Sequence, residues 1–189
     1  STSGANSVIA LNDAVSANSG TVTLATNGNG STVAVGGTVS AAGTVLVSAG
    51  GPASGITVDG DLTSTAANVE LTSGAGSNIT LNGTVSANDS VTLTAGTPAN
   101  RGAIIVGENN QIIADALVAT ATSIGASTAR LNTSVASLDA TSTNGGIFVT
   151  EADALDLTAS ASGGAVDVET TDGALTLTSV SGDSVVLAT

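Results

Sequence analysis

The sequence has no cysteine, methionine, histidine or lysine, and Phe148 is its only aromatic residue. Disulfides and thiolate metal sites are therefore excluded. Nucleophilic catalysis through a histidine, lysine or cysteine is excluded as well. A glycosidase could work with two carboxylates alone, but it would normally carry aromatic rings that stack on sugars. We therefore expect a protein that is not an enzyme and that has no cofactor.

Positive charge is almost absent. Only Arg101 and Arg130 oppose fifteen acids, which gives a net charge of −13. This balance argues against nucleic acid and anionic membrane surfaces as partners, and no run of 18 apolar residues is present to insert into a membrane. A chain rich in Ser, Thr, Asn and Gly that dispenses with disulfides suits a secreted or cell-surface bacterial protein. It begins at Ser1 without a signal-like segment, so we expect a processed product or a fragment.

Short alternating segments make up most of what is present. In Ile79–Gly96 (ITLNGTVSANDSVTLTAG), Ile79 and Leu81 form one apolar pair, Val85 stands alone, and Val91 and Leu93 form a second pair. Spacing of two predicts strands with one buried face, and the Asn-Gly and Asn-Asp pairs between them predict turns. Strands this short must stack on copies of themselves to be stable.

Such copies recur along the chain. Related segments start at positions 23 to 25 residues apart, namely Ile9, Val33, Ile56, Ile79 and Ile104. Coils of this length return parallel strands to the same sheet without a helix, which predicts an all-β, right-handed parallel β-helix about 40 Å long. Pro52 and Pro98 fall in the predicted closing loops, where no ladder donor is lost. The residues expected to point inward are Val22, Leu24, Val45, Val47, Ile56, Val58, Val69, Leu71, Ile79, Leu81, Val91 and Leu93.

The periodicity divides this single β-helix into three parts: regular coils over 9–108, a less regular stretch over 109–146, and shorter coils over 147–189. The middle part contains Ala and Leu spacings that could form a short helix, but alternating Val118, Thr120, Thr122 and Ile124 favour strands. In the last part the apolar triplets recur every 19 to 20 residues, which indicates shorter loops.

The chain resembles the repeat region of filamentous-haemagglutinin-type adhesins, the large bacterial exoproteins of two-partner secretion. The resemblance covers essentially the whole chain. It rests on the 19- to 25-residue coils with G-x-[VIL]-x-[VL] segments, and on Ala129–Leu157 (ARLNTSVASLDATSTNGGIFVTEADALDL). It implies a β-helix that serves as a surface-displayed shaft, and its motifs are structural rather than those of a ligand site.

Carboxylates offer the only candidate metal site. Seven acids lie between Glu151 and Asp183, and we expect a solvated acidic face there. Asp156, Asp167 and Glu169 are weak candidates for Ca²⁺ ligands, because all three are expected to point outward on neighbouring strands. No known calcium-loop spacing is present, so Ca²⁺ remains a possibility without a motif.

One outward column becomes apolar in the C-terminal half. When the first strands of the coils are aligned, Ile105, Phe148 and Val186 fall at the same outward-facing position. Aromatic residues such as Phe148 often anchor interfaces. These three residues are the candidate interaction site, for example for a receptor or glycan on a host or neighbouring cell. The alternative is that a loop at Thr120–Ala129 covers them.

Two functions remain open. The first is a structural shaft segment of a large secreted adhesin, whose partners are neighbouring coils of a longer chain. The second is a self-assembling extracellular filament or surface-layer subunit, whose partners are identical copies stacked end to end.

Ice binding is disfavoured because the Thr-x-Thr triplets are not aligned from coil to coil: Leu46 and Glu70 occupy the matching positions. Glycosylation sequons begin at Asn29, Asn78, Asn82, Asn88 and Asn132.

Overall fold

Alternating Val, Ile, Leu and Thr place one face of each short segment in a shared interior, so the chain coils into a β-solenoid of about 8 turns. A computed structural model describes all residues, 1–189. It contains 22 strands and no helix, hence no helix that could cross a membrane. Every ladder is parallel except one short hairpin. The predicted all-β parallel β-helix is confirmed, and the helix alternative for 109–146 is wrong.

The first four coils each contain three strands, joined by short turns. The first two coils comprise β1 (Val8–Leu11), β2 (Val15–Ala17), β3 (Val22–Thr26), β4 (Thr32–Val35), β5 (Val39–Ala41) and β6 (Val45–Ala49). The next two comprise β7 (Gly55–Val58), β8 (Leu62–Ser64), β9 (Val69–Thr72), β10 (Ile79–Leu81), β11 (Thr84–Ala87) and β12 (Ser90–Thr94). First strands pair with first strands, second with second and third with third, which gives three sheets.

The ladders run in the predicted register. Val33 pairs with Ile56 and Ile56 with Ile79, so residues at the same position in successive coils lie one above another. All twelve side chains predicted to point inward are at most 9% exposed, and ten of them are at most 1% exposed. The core is therefore a stack of aliphatic layers, and a fully buried Leu, Ile or Val contributes about 1.5–3 kcal/mol.

Glycine is required where two coils approach at a corner. A β-carbon on Gly60 would lie 2.2 Å from the carbonyl oxygen of Gly37, and one on Gly83 would lie 2.2 Å from that of Gly60. These contacts are with backbone atoms, which cannot move aside as a side chain can. The recurring Gly of the second segment is thus a packing requirement of the stack.

Both prolines lie in turns, as predicted. Pro52 is in the turn between β6 and β7, where its carbonyl accepts a hydrogen bond from the Gly30 amide. Pro98 is at the tip of the antiparallel hairpin formed by β13 (Gly96–Thr97) and β14 (Asn100–Arg101). Neither position needs the amide donor that proline lacks.

From the fifth coil onward the strands merge. The fifth coil has β15 (Ile104–Val106) and the long β16 (Gln111–Ala121), which pairs with both β11 and β12. The sixth coil contributes Ile124, which bridges Ile104 and Ile147, and the long β17 (Leu131–Ser142). The following strands are β18 (Ile147–Glu151), β19 (Leu155–Ala161), β20 (Ala165–Thr170), β21 (Leu175–Ser181) and β22 (Ser184–Ala188).

The shorter C-terminal period has a structural cause. β17 pairs with β16 on one side, and with β18 and β19 on the other. Beyond β17 each coil has two strands instead of three, because β18 continues both the first and the second sheet. The loss of one strand and one turn reduces the repeat to about 19 residues, as shown by the pairing of Ile147 with Val166.

Candidate functional site

The three residues of the candidate interaction column are not contiguous on the surface. Each lies on the outer side of the first sheet, where Ile105 is 44% and Val186 54% exposed and Phe148 is half-buried. The bridges of Ile124 place Gly125 between Ile105 and Phe148, and Asp167 pairs with both Phe148 and Val186. Two strand spacings, about 9.6 Å, therefore separate successive apolar residues of the column.

The ring of Phe148 packs against Gly146, which directly precedes β18. A β-carbon on Gly146 would lie 2.4 Å from ring atom Cε2 of Phe148, so the ring packs where Gly146 has no side chain. The predicted covering loop at Thr120–Ala129 is wrong in its first half, because Thr120 lies within strand β16 and the side chain of Ile124 is fully buried. Only a tight turn remains, closed by reciprocal hydrogen bonds between Ala126 and Ala129.

The three candidate calcium ligands are not brought together. Asp156 lies on β19, in the ladder of third strands, whereas Asp167 and Glu169 lie on β20, in the ladder of first strands. Asp167 instead accepts a hydrogen bond from Arg130, and no group of three or more acidic side chains is close enough to hold a metal ion. The carboxylates therefore do not converge on a common point as Ca²⁺ coordination requires.

One of the seven acids is not on a solvated face at all. Glu151 is 0% exposed and faces the interior of the coil. Its carboxylate accepts hydrogen bonds from the backbone amides of Val135 (3.1 Å), Ala152 (3.0 Å) and Asp153 (3.2 Å). The expectation of a uniformly solvated acidic face is wrong for this residue, because the missing strand leaves amides that need an acceptor.

The position of Glu151 explains this arrangement. In β17, residues 134–136 have no strand partner in the next coil, because β18 has ended and β19 pairs only from Ser137 onward. The Val135 amide lies in this gap and donates to the carboxylate of Glu151. Thr133 and Thr170, which pair with Glu151, are also buried, so the inward column is polar at this level.

Arg130 ties three coils together on the outer surface. Its Nε donates to Thr150 Oγ1 (3.0 Å), and its Nη2 donates to the Val149 carbonyl (2.7 Å) and to the Asp167 carbonyl (3.0 Å). Nη2 also lies 3.1 Å from Asp167 Oδ1, and both side chains are largely covered, 20% and 29% exposed. The Nε and Nη2 donors of the guanidinium are therefore used within the protein, whereas Nη1 has no hydrogen-bond partner in it.

A polar cleft of about 540 Å³ adjoins Arg130. Its ten lining residues come from the fifth, sixth and seventh coils and include Glu108, Asn110, Asn132 and Thr150. Asn110 is 4% exposed and is satisfied by Gly107, Arg130 and Asn132. The cleft can offer hydrogen bonds, but it contains neither an activated nucleophile nor an aromatic platform for a sugar.

Two other predicted surface features can be placed. Thr23, Leu46, Glu70 and Thr92 are consecutive register partners, so the threonine triplets are interrupted as the sequence predicted. Of the five sequons, those at Asn82 and Asn132 carry half-buried side chains whose amides donate to Asp59 and to the Asn110 carbonyl. Those at Asn29, Asn78 and Asn88 are exposed.

Sequence reasoning missed Arg130 and Glu151. For Glu151 a signal existed, because Ile147 and Val149 point inward and a spacing of two places Glu151 on the same face. Apart from the polar junction formed by Arg130 and Glu151, where three sheets become two, the stack of coils is regular.

Comparison with protein-family models, with curated proteins and with solved structures gives no match.

Proposed function

We propose that the chain is a non-enzymatic structural shaft segment of a large secreted bacterial surface protein, an adhesin or related exoprotein. The observation that carries the proposal is the uninterrupted ladder of third strands. It passes from β3 to β6, β9, β12, β16, β17, β19 and β21. A rod of about 8 turns built this way is roughly 40 Å long.

The stack suits a mechanical role. Hydrogen bonds between coils lie along the axis, and each coil is joined to the next through two or three sheets. A load along the axis is therefore shared among many bonds of one rung rather than falling on a single contact. The interior adds apolar burial to every rung, and in a solenoid each rung contacts only its neighbours.

Resemblance to filamentous-haemagglutinin-type repeats supports the surface location and the role in adhesion. The acidic, cysteine-free composition is compatible with secretion. Under this proposal the partners are neighbouring coils, and a receptor or glycan of a host or neighbouring cell is bound elsewhere on the assembly.

A deletion in register tests the proposal. Removing 56–78 joins Gly55 to Ile79, and the β4–β7–β10 register allows Ile79 to take the place of Ile56 on Val33. A shaft tolerates this change. The shortened protein should keep its far-ultraviolet circular dichroism spectrum, become about 4.8 Å shorter and retain adhesion when it is displayed on the cell surface. Loss of adhesion with the fold intact would show that this coil carries binding chemistry, and the proposal would be wrong.

Substitutions on the outer column provide the second arm of the test. Phe148→Ser removes partly buried apolar surface and should lower stability by about 1–2 kcal/mol, whereas Ile105→Ser, on the same face, should leave stability nearly unchanged. A shaft predicts unchanged adhesion for both variants at a temperature where both are folded. If Ile105→Ser abolished adhesion, the outer column would instead be a contact surface for a binding partner.

A specific observation keeps self-assembly as a second candidate. Inward-facing apolar side chains of both end coils are incompletely covered: Leu177 is 50% exposed, and Ile9 and Leu11 are only half-buried. Uncovered ladder ends of this kind favour the addition of another rung, which an identical copy could supply. Polymerisation at micromolar concentration, measured by light scattering, distinguishes a filament subunit from a shaft segment.

A further inference from the structure

Four Asn-Gly pairs lie in turns between strands, and the structure gives them different surroundings. They are Asn27-Gly28, Asn29-Gly30, Asn82-Gly83 and Asn144-Gly145. In such a pair the glycine amide nitrogen can attack the side-chain carbonyl carbon of the asparagine, because glycine has no β-carbon to hinder the approach. A glycine amide that already donates a hydrogen bond must break it before it can attack. The surroundings of the four pairs therefore decide which of them reacts.

Two of the pairs are held by backbone hydrogen bonds between coils. The Gly30 N–H donates to the Pro52 carbonyl at 2.8 Å, and the Gly83 N–H donates to the Val58 carbonyl at 3.2 Å. The net contribution of such a bond to stability is small but not negligible, and the need to break it should slow the attack by about two- to tenfold. The backbone ladder of the solenoid thus protects both pairs.

The third pair is held by a side chain, and the fourth is not held. The Gly145 N–H donates to Ser142 Oγ at 3.3 Å. The Gly28 N–H donates to no backbone or side-chain acceptor, and the exposed side chain of Asn27 makes no hydrogen bond. The Gly4 carbonyl oxygen packs on Gly28 where a β-carbon would lie, but it accepts no hydrogen bond from the Gly28 N–H. Both reacting groups are therefore unengaged only at Asn27-Gly28.

We infer that Asn27 is the site at which the folded chain deamidates fastest. The Gly28 nitrogen loses its proton and forms a bond to Cγ of Asn27, and the side-chain nitrogen leaves as ammonia, which closes a succinimide ring. Water then adds to either carbonyl carbon of the ring and opens it, which leaves aspartate or isoaspartate at this position. One water is consumed and one ammonia is released, so no oxidant, reductant or cofactor is needed.

The product alters a turn that is fixed on both sides. The Asn27 N–H donates to the Thr2 carbonyl at 3.2 Å, and the Gly28 carbonyl accepts from Ser54 Oγ at 2.9 Å. Isoaspartate inserts one more carbon into the main chain between these two contacts, so at least one of them should weaken. Because the reaction is irreversible, modified chains accumulate with age. This modification site goes beyond the proposed shaft function and does not depend on it.

Peptide mapping by mass spectrometry tests the inference. The folded chain is incubated in mildly alkaline buffer made with heavy-oxygen water, so that deamidation during the incubation incorporates a solvent label. It is then digested with pepsin at acidic pH, where deamidation is slow. A parallel incubation in concentrated urea gives the rate of each pair without structure. The ratio of folded to unfolded rate should be about two- to tenfold higher at Asn27 than at any of the other three pairs.

Several results would overturn the inference. One is a folded-to-unfolded ratio at another pair that equals or exceeds the ratio at Asn27, and another is an Asn27 that reacts only in urea. Asn27→Gln is the matched control, because the longer side chain closes a ring less readily. It should remove most of the label from the peptide that spans residues 27–30. A label retained in this variant would assign the reaction to Asn29 instead.

A second variant tests whether the amide hydrogen bond controls the rate. Ser142→Ala removes the acceptor of the Gly145 N–H, so Asn144 should deamidate about two- to tenfold faster in the folded protein. The rate at Asn27 should stay the same, since its turn lies in another part of the solenoid. An unchanged rate at Asn144, in a variant that keeps the circular dichroism spectrum of the wild type, would contradict the reasoning that selects Asn27.

Discussion

Removing the buried carboxylate of Glu151 should destabilise the protein through one amide in particular. Val135 is 4% exposed, and its backbone N–H donates to both carboxylate oxygens of Glu151, at 3.1 Å and 3.3 Å, where the next coil offers no strand partner. The Ala152 amide also donates to the Thr133 carbonyl at 2.9 Å, and Asp153 is exposed to water, so these two amides keep other partners. The main loss therefore falls on Val135.

The magnitude follows from two opposing effects. An orphaned buried donor costs about 1–3 kcal/mol, and Glu151→Ala also leaves a cavity. Relief of the desolvation cost of a buried carboxylate opposes these losses. We expect a net loss of about 2–4 kcal/mol for Glu151→Ala, about 2–3 kcal/mol for Glu151→Leu, which fills the space, and about 1–2 kcal/mol for Glu151→Gln, which keeps one acceptor oxygen.

Urea unfolding followed by far-ultraviolet circular dichroism measures these losses, because the chain has no tryptophan or tyrosine for fluorescence. Amide exchange of Val135 adds a local readout, which should accelerate in all three variants and most in Glu151→Leu. Glu169→Gln is the matched control: this acid is exposed on the neighbouring strand β20 and should change stability by less than about 0.5 kcal/mol. A Glu151→Leu variant as stable as the wild type would refute the role assigned to the carboxylate.

Three further expectations follow from the same structure. Leu81→Asp buries an unpaired charge and should lower the stability by several kcal/mol. Thr80→Asp, one residue away on the outer face, should lower it by about 0.5 kcal/mol or less. Equal melting temperatures of the two variants would contradict the register. Gly60→Ala forces a β-carbon against a backbone oxygen and should lower the melting temperature by several degrees, whereas Gly55→Ala, whose β-carbon would meet only one atom at 3.4 Å, should not; calorimetry on the pair decides. Millimolar Ca²⁺ should raise the melting temperature no more than NaCl of equal ionic strength, and a specific rise lost in Asp167→Asn would indicate a bound ion.

Repetition made the regular part of the fold predictable. Aligning segments by their apolar pairs identified the buried side chains of the first four coils, and it placed Thr23, Leu46 and Glu70 in one column. The same alignment could not show that β18 would take over two sheets, because the sequence retains its spacing of two throughout. The tight turn at Ala126–Ala129 was also hidden, since Ser, Thr and Ala suit strands and turns alike in this composition.

The polar junction was unpredictable for a different reason. Spacing of two places Glu151 inward, but the general cost of burying a carboxylate argues for the surface, and only the geometry of the lost strand reverses that preference. Arg130 precedes the inward Leu131 and is therefore outward, but its acceptors on Val149 and Asp167 depend on cross-coil register in an irregular region. Both residues stabilise a boundary between two kinds of coil, which no single repeat contains.

This boundary matters for any mechanical role of the rod. A change from three sheets to two leaves unpaired backbone groups at one level. The least stable rung limits the load that the whole stack can carry. The long strand β17 spans the boundary, since it pairs with β16 on one side and with both β18 and β19 on the other. Glu151 satisfies the interior amide and Arg130 joins the sixth, seventh and eighth coils outside. Two charged side chains, Arg130 and Glu151, are thus used where apolar stacking alone would leave a gap.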